Sequence, residues 1–179
     1  MDVLFISPNN NKKIYQDLSK DYAAIEPPTW SLLLAESCRS IGHDVGILDT
    51  NAENLSDEES IDRIKDLNPR LLCFVVYGQN VNDGTVNMSG AVRLSDAIKY
   101  QGIETPICFV GSHVSALPIE TLKKEKSIDI ILTNEGVYAL RNILSCNLRD
   151  ISALENIKGI GFKSFILSIL SSSLRFSAL

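Results

Sequence analysis

The run LLCFVVY, Leu71 to Tyr77, limits what this chain can fold into more than any other stretch. Successive side chains of a strand point to opposite faces, so a strand wetted on one side alternates apolar with polar residues. A run without that alternation is covered on both faces, which is the situation of a central strand in a parallel sheet. Parallel neighbours need crossover connections, and those are usually helices. The remaining sequence supplies them in order.

Val3 to Ser7 reads as a first strand, ended by Pro8 and three asparagines. Pro27-Pro28 precedes TWSLLLAESCRSIG, a helix with Leu32, Leu33, Ala35 and Cys38 as its apolar face. Pro28 suits the first turn and Gly42 the C-terminal cap. Val45 to Leu48 forms a second strand closed by Asp49. Ser56 and Glu59 make a capping box for a helix to Leu67, which Asn68-Pro69 stops. After Leu71–Tyr77 comes a helix over Asn87 to Tyr100, with Ala91, Leu94, Ala97 and Ile98 inward. ICFV, Ile128 to Leu132 and Ile157 to Phe162 read as further strands, separated by helices at Leu117 to Lys124 and Val137 to Leu144. This order predicts an α/β, Rossmann-like (flavodoxin-like) open parallel five-stranded sheet with helices on both faces, the final strand being a short sixth.

Composition narrows the function. The chain has 179 residues, 45% hydrophobic and 22% charged, which suits one globular domain. Its 17 basic and 22 acidic residues leave a net charge of −5, with no footprint for nucleic acid. The acidic DEES, Asp57 to Ser60, reads as a solvated first helical turn. Cys38, Cys73, Cys108 and Cys146 form no CxxC pair, so no local zinc or iron–sulfur site is expected. Cys73 and Cys108 sit in apolar runs where a thiol packs as a small hydrophobe. No signal peptide or membrane-length apolar run is visible, and a reduced, cytoplasmic protein is the expectation.

Parallel sheets of this kind hold ligands beyond the carboxyl ends of their strands. The loops there are SPNNN, YGQNVND, GSHVS and TNEG, rich in small and amide residues. No G-x-G-x-x-G follows the first strand, and no G-x-x-x-x-G-K-[ST] occurs. The ends of strands one and three carry Ser7-Pro8 and Tyr77-Gly78, not the aspartates of a phosphoacceptor receiver. SPNNNKK is a poor flavodoxin phosphate loop, and two histidines, His43 and His113, build no Ser–His–Asp set.

Four stretches in order, EPPTWSLLLAESCRSIGHDVGILDT, IKDLNPRLLCFVVYGQN, ICFVGSHVSALPIETL and DIILTNEGVYALRNIL, resemble the N-terminal cobalamin-binding domain of cobalamin-dependent radical SAM enzymes. The resemblance spans about Met1 to Lys163, which it marks as one corrinoid-binding domain, with 164–179 as a truncated linker or out-of-register tail. It implies that cobalamin, a large disc with amide arms and a nucleotide tail, lies on this edge. Glycine turns would permit close approach, and amide and hydroxyl side chains would meet the arms.

The resemblance implies cofactor contacts from Pro8, Asn9 and Asn10, from Tyr77, Gly78, Gln79 and Asn80 beneath the corrin, and from Gly111, Ser112, His113 and Ser115 around the tail. Thr133, Asn134, Glu135 and Gly136 would form the last wall. Relatives that ligate cobalt through histidine carry D-x-H-x-x-G after strand one; here P-N-N-N stands there, so no protein metal ligand and no catalytic residue is expected. The second glycine of the strand-four turn is Ser112, and strand five ends in N-E-G-V in place of G-E-G-E.

A full-length parent of this kind continues into a barrel whose C-x-x-x-C-x-x-C holds a [4Fe–4S] cluster that binds SAM, and that motif is absent from this sequence. The resemblance therefore implies corrinoid binding here, and methyl transfer or a related radical reaction only in a parent with its radical SAM barrel. Two other readings stand beside it: a stand-alone corrinoid-binding module, and the N-terminal half of a nucleotide-sugar glycosyltransferase, suggested by SLLLAESCRSIGHDV. On residue chemistry alone, His113 caps a helix or bonds backbone, His43 is structural at the far edge of the sheet, and Trp30 packs over the ligand edge or over the first helix, with core packing favoured.

Overall fold

The computed structural model describes residues 1–8, 27–77, 81–163 and 174–176, and side chains of 81–86 and 174–176 are left aside. Strands β1 (Val3–Ser7), β2 (Val45–Asp49), β3 (Leu71–Val76), β4 (Ile107–Gly111) and β5 (Ile130–Leu132) are parallel, in the order β2-β1-β3-β4-β5. That is the predicted flavodoxin-like arrangement. Two further strands, β6 (Ile160–Lys163) and β7 (Leu174–Phe176), add antiparallel at the β5 edge. The complete sheet is thus mixed and seven-stranded, five strands of it parallel.

The connections are α1 (Thr29–Arg39), α2 (Asp57–Leu67), α3 (Val81–Tyr100), α4 (Ser112–Ala116), α5 (Pro118–Lys124), α6 (Val137–Leu144) and α7 (Ile151–Glu155). Side-chain alternation along the central strands splits the core in two. Phe5, Cys73, Val75, Val110 and Leu132 face α1 and α6, where Leu34, Cys38, Leu140 and Ile143 meet them. Ile6, Phe74, Val76, Phe109 and Ile131 face α2 to α5, against Ile64, Leu94, Ile98 and Leu122. Every residue of β3 and β4 is buried, which is why Leu71–Val76 carries no polar position. Phe74 and Phe109, paired across the two strands, stack with ring centroids 4.8 Å apart.

Local chemistry sets the helix ends. Ser56 Oγ accepts from the Glu59 N–H, and Glu59 returns the bond to the Ser56 N–H, completing the expected capping box. Those bonds hold the Glu59 carboxyl below its ordinary pKa. Gly42, at φ +95, lies in the left-handed region just beyond α1 and donates to the Arg39 carbonyl. The inward face of α1 differs from the expected one: Ser31, Leu34, Ala35 and Cys38 are buried, while Leu32 and Leu33 are 50% and 57% exposed. Three consecutive leucines satisfy two helical phases, and the helix start, one residue after Pro28, selects the phase with Leu34 inward.

The far edge of the sheet is tied by charge. Asp2 accepts from the Asp44 N–H, and its carboxyl lies below its usual pKa mainly through that bond. His43 Nδ1 stands 3.5 Å from the same carboxylate, at the amino end of β1, so this histidine is structural as expected. Lys163 Nζ donates to the carbonyls of Glu125 and Lys126 at 2.7 and 3.2 Å, anchoring the end of β6 to the chain that leaves α5.

Gly111 marks the tightest packing in the sheet. A Cβ built there would lie 2.1 Å from the Val76 carbonyl oxygen, its register partner's backbone. Glycine is required there because β3 and β4 close on each other. Gly111→Ala should lower unfolding stability by roughly 2–4 kcal/mol, read from the urea midpoint. An unchanged midpoint would show that β4 shifts away freely.

Candidate functional site

Four chain segments meet at the carboxyl edge of the parallel strands: Ser7-Pro8 after β1, Tyr77 after β3, Gly111 to Ser115 entering α4, and Thr133 to Gly136 between β5 and α6. Parallel strands bring their loops to one edge whatever those loops contain, so the topology alone assembles this set.

Hydrogen bonds lock three of the segments together. Tyr77 Oη donates to the Asn134 carbonyl at 3.0 Å, and Ser115 Oγ donates to the same oxygen at 3.4 Å. Asn134 sits at φ +57, a left-handed conformation that asparagine tolerates better than most residues. Gly136, at φ +71, opens α6. A Cβ there would meet Leu132 Cδ1 at 2.8 Å and Val110 Cγ2 at 3.1 Å, so a side chain is excluded on two counts. The β5–α6 turn is therefore built from backbone, with Asn134 and Glu135 exposed above it.

Tyr77, one of the expected contacts, is held on two sides. Its phenol is half-buried, and desolvation, with the Glu135 charge second, pushes its pKa to about 12. Its ring stacks on Trp30, centroids 4.5 Å apart and planes 24° from parallel. Trp30 is 39% exposed, so it belongs to the ligand edge and not to the core where residue chemistry had put it. The helix start at Thr29 explains this: Trp30 falls in the first turn, above the sheet rather than over it.

A cavity of about 320 Å³ opens beside this stack, between the ends of β1, β2 and β3 and the start of α1. Ser7, Pro8, Trp30, Asp49, Tyr77 and Asn87 are among its walls. Ser7 Oγ and Ser31 Oγ are 2.9 Å apart, and Thr50 Oγ1 donates to the Ser7 carbonyl at 3.0 Å, which fixes the β1 terminus. Asn87 Nδ2 donates to the Tyr77 carbonyl at 3.5 Å. Sequence reasoning passed over Asp49 and Asn87 as site residues; an aspartate closing β2 was the available signal.

The other expected residues divide as follows. Ser112 and His113 are the first two residues of α4, half-buried, and the His113 carbonyl accepts from Leu117 N–H at 3.0 Å. His113 therefore lies inside the helix and is not its cap. Thr133 points away from open solvent: it is buried, its N–H donates to Gly159 O at 2.9 Å, and its Oγ1 has no partner among the described residues. Asn9, Asn10, Gly78, Gln79 and Asn80 lie outside the described residues. Among the described residues, no three His, Cys, Asp or Glu side chains gather to hold a metal, and no helix is long and apolar enough to cross a membrane.

The fold and its carboxyl-edge site define a Rossmann-like ligand-binding domain of flavodoxin-like strand order. A family model described as "B12 binding domain" matches residues 17–144. The chain belongs to the B12-binding domain family. Among solved structures, the radical S-adenosylmethionine methyltransferase TsrM from Kitasatospora setae, with cobalamin and a [4Fe–4S] cluster bound, is similar over 100% of this chain and 30% of its own, at TM-score 0.70 and 14% identity. The same enzyme with tryptophan substrate and a SAM analogue matches over 89% of this chain and 28% of its own, at TM-score 0.64 and 16% identity. The cobalamin-dependent S-adenosylmethionine radical enzyme OxsB is similar over 99% of this chain and 22% of its own, at TM-score 0.64 and 14% identity. The chain thus spans less than a third of the length of these proteins. No curated protein matches it.

The residues present suit a corrinoid. The edge offers amide and hydroxyl groups, a backbone-built turn at Asn134–Gly136, a buried orphan hydroxyl at Thr133, and no described cluster that would compete for cobalt. Tyr77 should ionise well above the ordinary tyrosine range. Its folded pKa, about 12, lies above the ordinary value of 10, so its contribution to stability is complete below pH 10 and disappears as pH rises toward 12. The stability gap between wild type and Tyr77→Phe, from urea melts, should narrow across that window. A gap that widened there would contradict the buried, neutral phenol.

Proposed function

We propose that this chain binds cobalamin as the corrinoid-binding portion of a cobalamin-dependent radical SAM enzyme. Residues 1–163 form the binding unit, and β7 extends its sheet. The observation that carries the reading is the linked edge itself: Tyr77 and Ser115 meeting on the Asn134 carbonyl, within a chain of the B12-binding domain family. The corrin would be held at the carboxyl edge of the parallel strands, with Tyr77 and its three successors, Gly78, Gln79 and Asn80, on its underside. Pro8, Asn9 and Asn10 contact one rim of the ring. Ser112, His113 and Ser115 meet the nucleotide tail, and Thr133 to Gly136 close the far wall.

Cobalamin, when bound, supplies a cobalt centre that carries a methyl group or assists a radical reaction. The chain's own residues bind and orient it. The sequence P-N-N-N after β1 would meet cobalamin with amides and no imidazole, and SAM and substrate would be held with a [4Fe–4S] cluster on a barrel in the parent enzyme. Methyl transfer, of the kind the TsrM name describes, is the reaction class proposed for that parent. The chain's site is cytoplasmic, in keeping with four cysteines that are all free.

Absorbance-monitored titration with hydroxocobalamin tests the reading. Saturable binding is expected, with a spectrum in which the benzimidazole has left cobalt and no histidine replaces it. Tyr77→Ala should weaken binding by about tenfold or more, the loss of a buried aromatic contact and its hydrogen bond. Absence of binding by a chain that circular dichroism shows to be folded would overturn the assignment.

A further inference from the structure

A second cavity, of about 660 Å³, opens at the amino ends of the parallel strands, the edge opposite the corrinoid site. Three loops wall it: Pro69-Arg70 before β3, Glu104 to Pro106 before β4, and Leu144 to Arg149 between α6 and α7. All of these walls lie among the described residues, and none lines the cavity beside Tyr77.

The charges around it divide into structural and available ones. Arg70 is committed to the fold. Its Nη2 donates to the Leu144 carbonyl at the end of α6, and its Nη1 lies 3.6 Å from Asp2 Oδ1. Arg149 and Glu104 are both exposed and stand on separate loops, and neither enters an ion pair among the described residues. The backbone beneath each is fixed. Arg149 N–H donates to Asn147 Oδ1 at 3.0 Å, and Lys99 Nζ donates to the carbonyl of Thr105, next to Glu104, at 3.1 Å. Pro69, Pro106 and Leu148 give the same cavity an apolar lining.

A simple anion would suit Arg149 and be opposed by Glu104, and a simple cation would meet the reverse. A ligand that carries both charges matches both walls. Arg149 and Glu104 do not reach each other, so the ligand's own charges must also stand apart. A single amino acid keeps them adjacent; a short peptide separates them. Arginine holds a carboxylate through two parallel N–H bonds, which suits a peptide's terminal carboxylate. The volume, about 660 Å³, suits a di- or tripeptide.

We infer that this cleft binds a short zwitterionic peptide, its terminal carboxylate on Arg149 and its terminal ammonium on Glu104. The inference stands on the amino edge alone, and hydroxocobalamin binding is titrated separately, so either reading can fail without the other.

Calorimetric titration of the full chain with trialanine is the test, and Cys146 supplies a second signal. Cys38, Cys73 and Cys108 are buried, whereas Cys146 is partly exposed and lines this cleft. Trialanine should bind saturably and slow the alkylation of Cys146 by iodoacetamide, a neutral reagent, as followed by mass spectrometry. Arg149→Gln and Glu104→Gln, both at exposed positions, should each weaken trialanine by about fivefold and leave hydroxocobalamin binding unchanged. N-acetyltrialanine and trialanine amide each lose one terminal charge; both should bind the wild type more weakly by a similar factor, which tests the two charges without a variant. No saturable heat from folded protein would overturn the inference. So would equal affinity for trialanine and its N-acetyl derivative, or trialanine binding that leaves Cys146 alkylation unchanged, which would put the peptide elsewhere.

Discussion

Burial of the central strands on both faces is the constraint from which the rest of this structure follows. Strands β3 and β4 have no wetted position, so each needs helices above and below. Helical crossovers then make the strands parallel and deliver every βα loop to the same edge. A ligand edge built from Ser7, Tyr77, Gly111 and Asn134, residues up to about 130 positions apart in sequence, is the geometric result of apolar packing elsewhere.

Within that edge, two kinds of glycine act differently. Gly136 takes a left-handed conformation and clears space beneath the β5–α6 turn. Gly111 is demanded by the Val76 carbonyl across the sheet. The GSHVS turn therefore serves the fold first, and its first glycine would be needed with or without a cofactor. The polar groups that distinguish this edge are instead the two that converge on one carbonyl, Asn134 O accepting from Tyr77 and Ser115. Tying β3, α4 and β5 together there makes the site preorganised, which reduces the ordering a ligand must impose.

Much of this was legible in the sequence because the signals were local. Strand β1, the Ser56–Glu59 capping box and the span of α6 rest on patterns a few residues long, and they appear where the sequence puts them. The phase of α1 was not legible, since Leu32, Leu33 and Leu34 offer three candidates for one face and only the start of the helix decides. Trp30 was misplaced for the same reason. The antiparallel addition of β6 and β7 depends on where the chain turns back after β5, a tertiary choice stabilised by pairings such as Ile131 with Gly161 and by Lys163 on the end of α5. Asp49 and Asn87 became site residues only through their neighbours in space.

The measurement that tests the account most directly is a crystal structure of the chain grown with hydroxocobalamin. The account predicts the corrin across the carboxyl ends of β1, β3, β4 and β5, Tyr77 beneath it, and no histidine nitrogen on cobalt. A corrin bound at the opposite edge near Arg70, or cobalt ligated by His113, would contradict it.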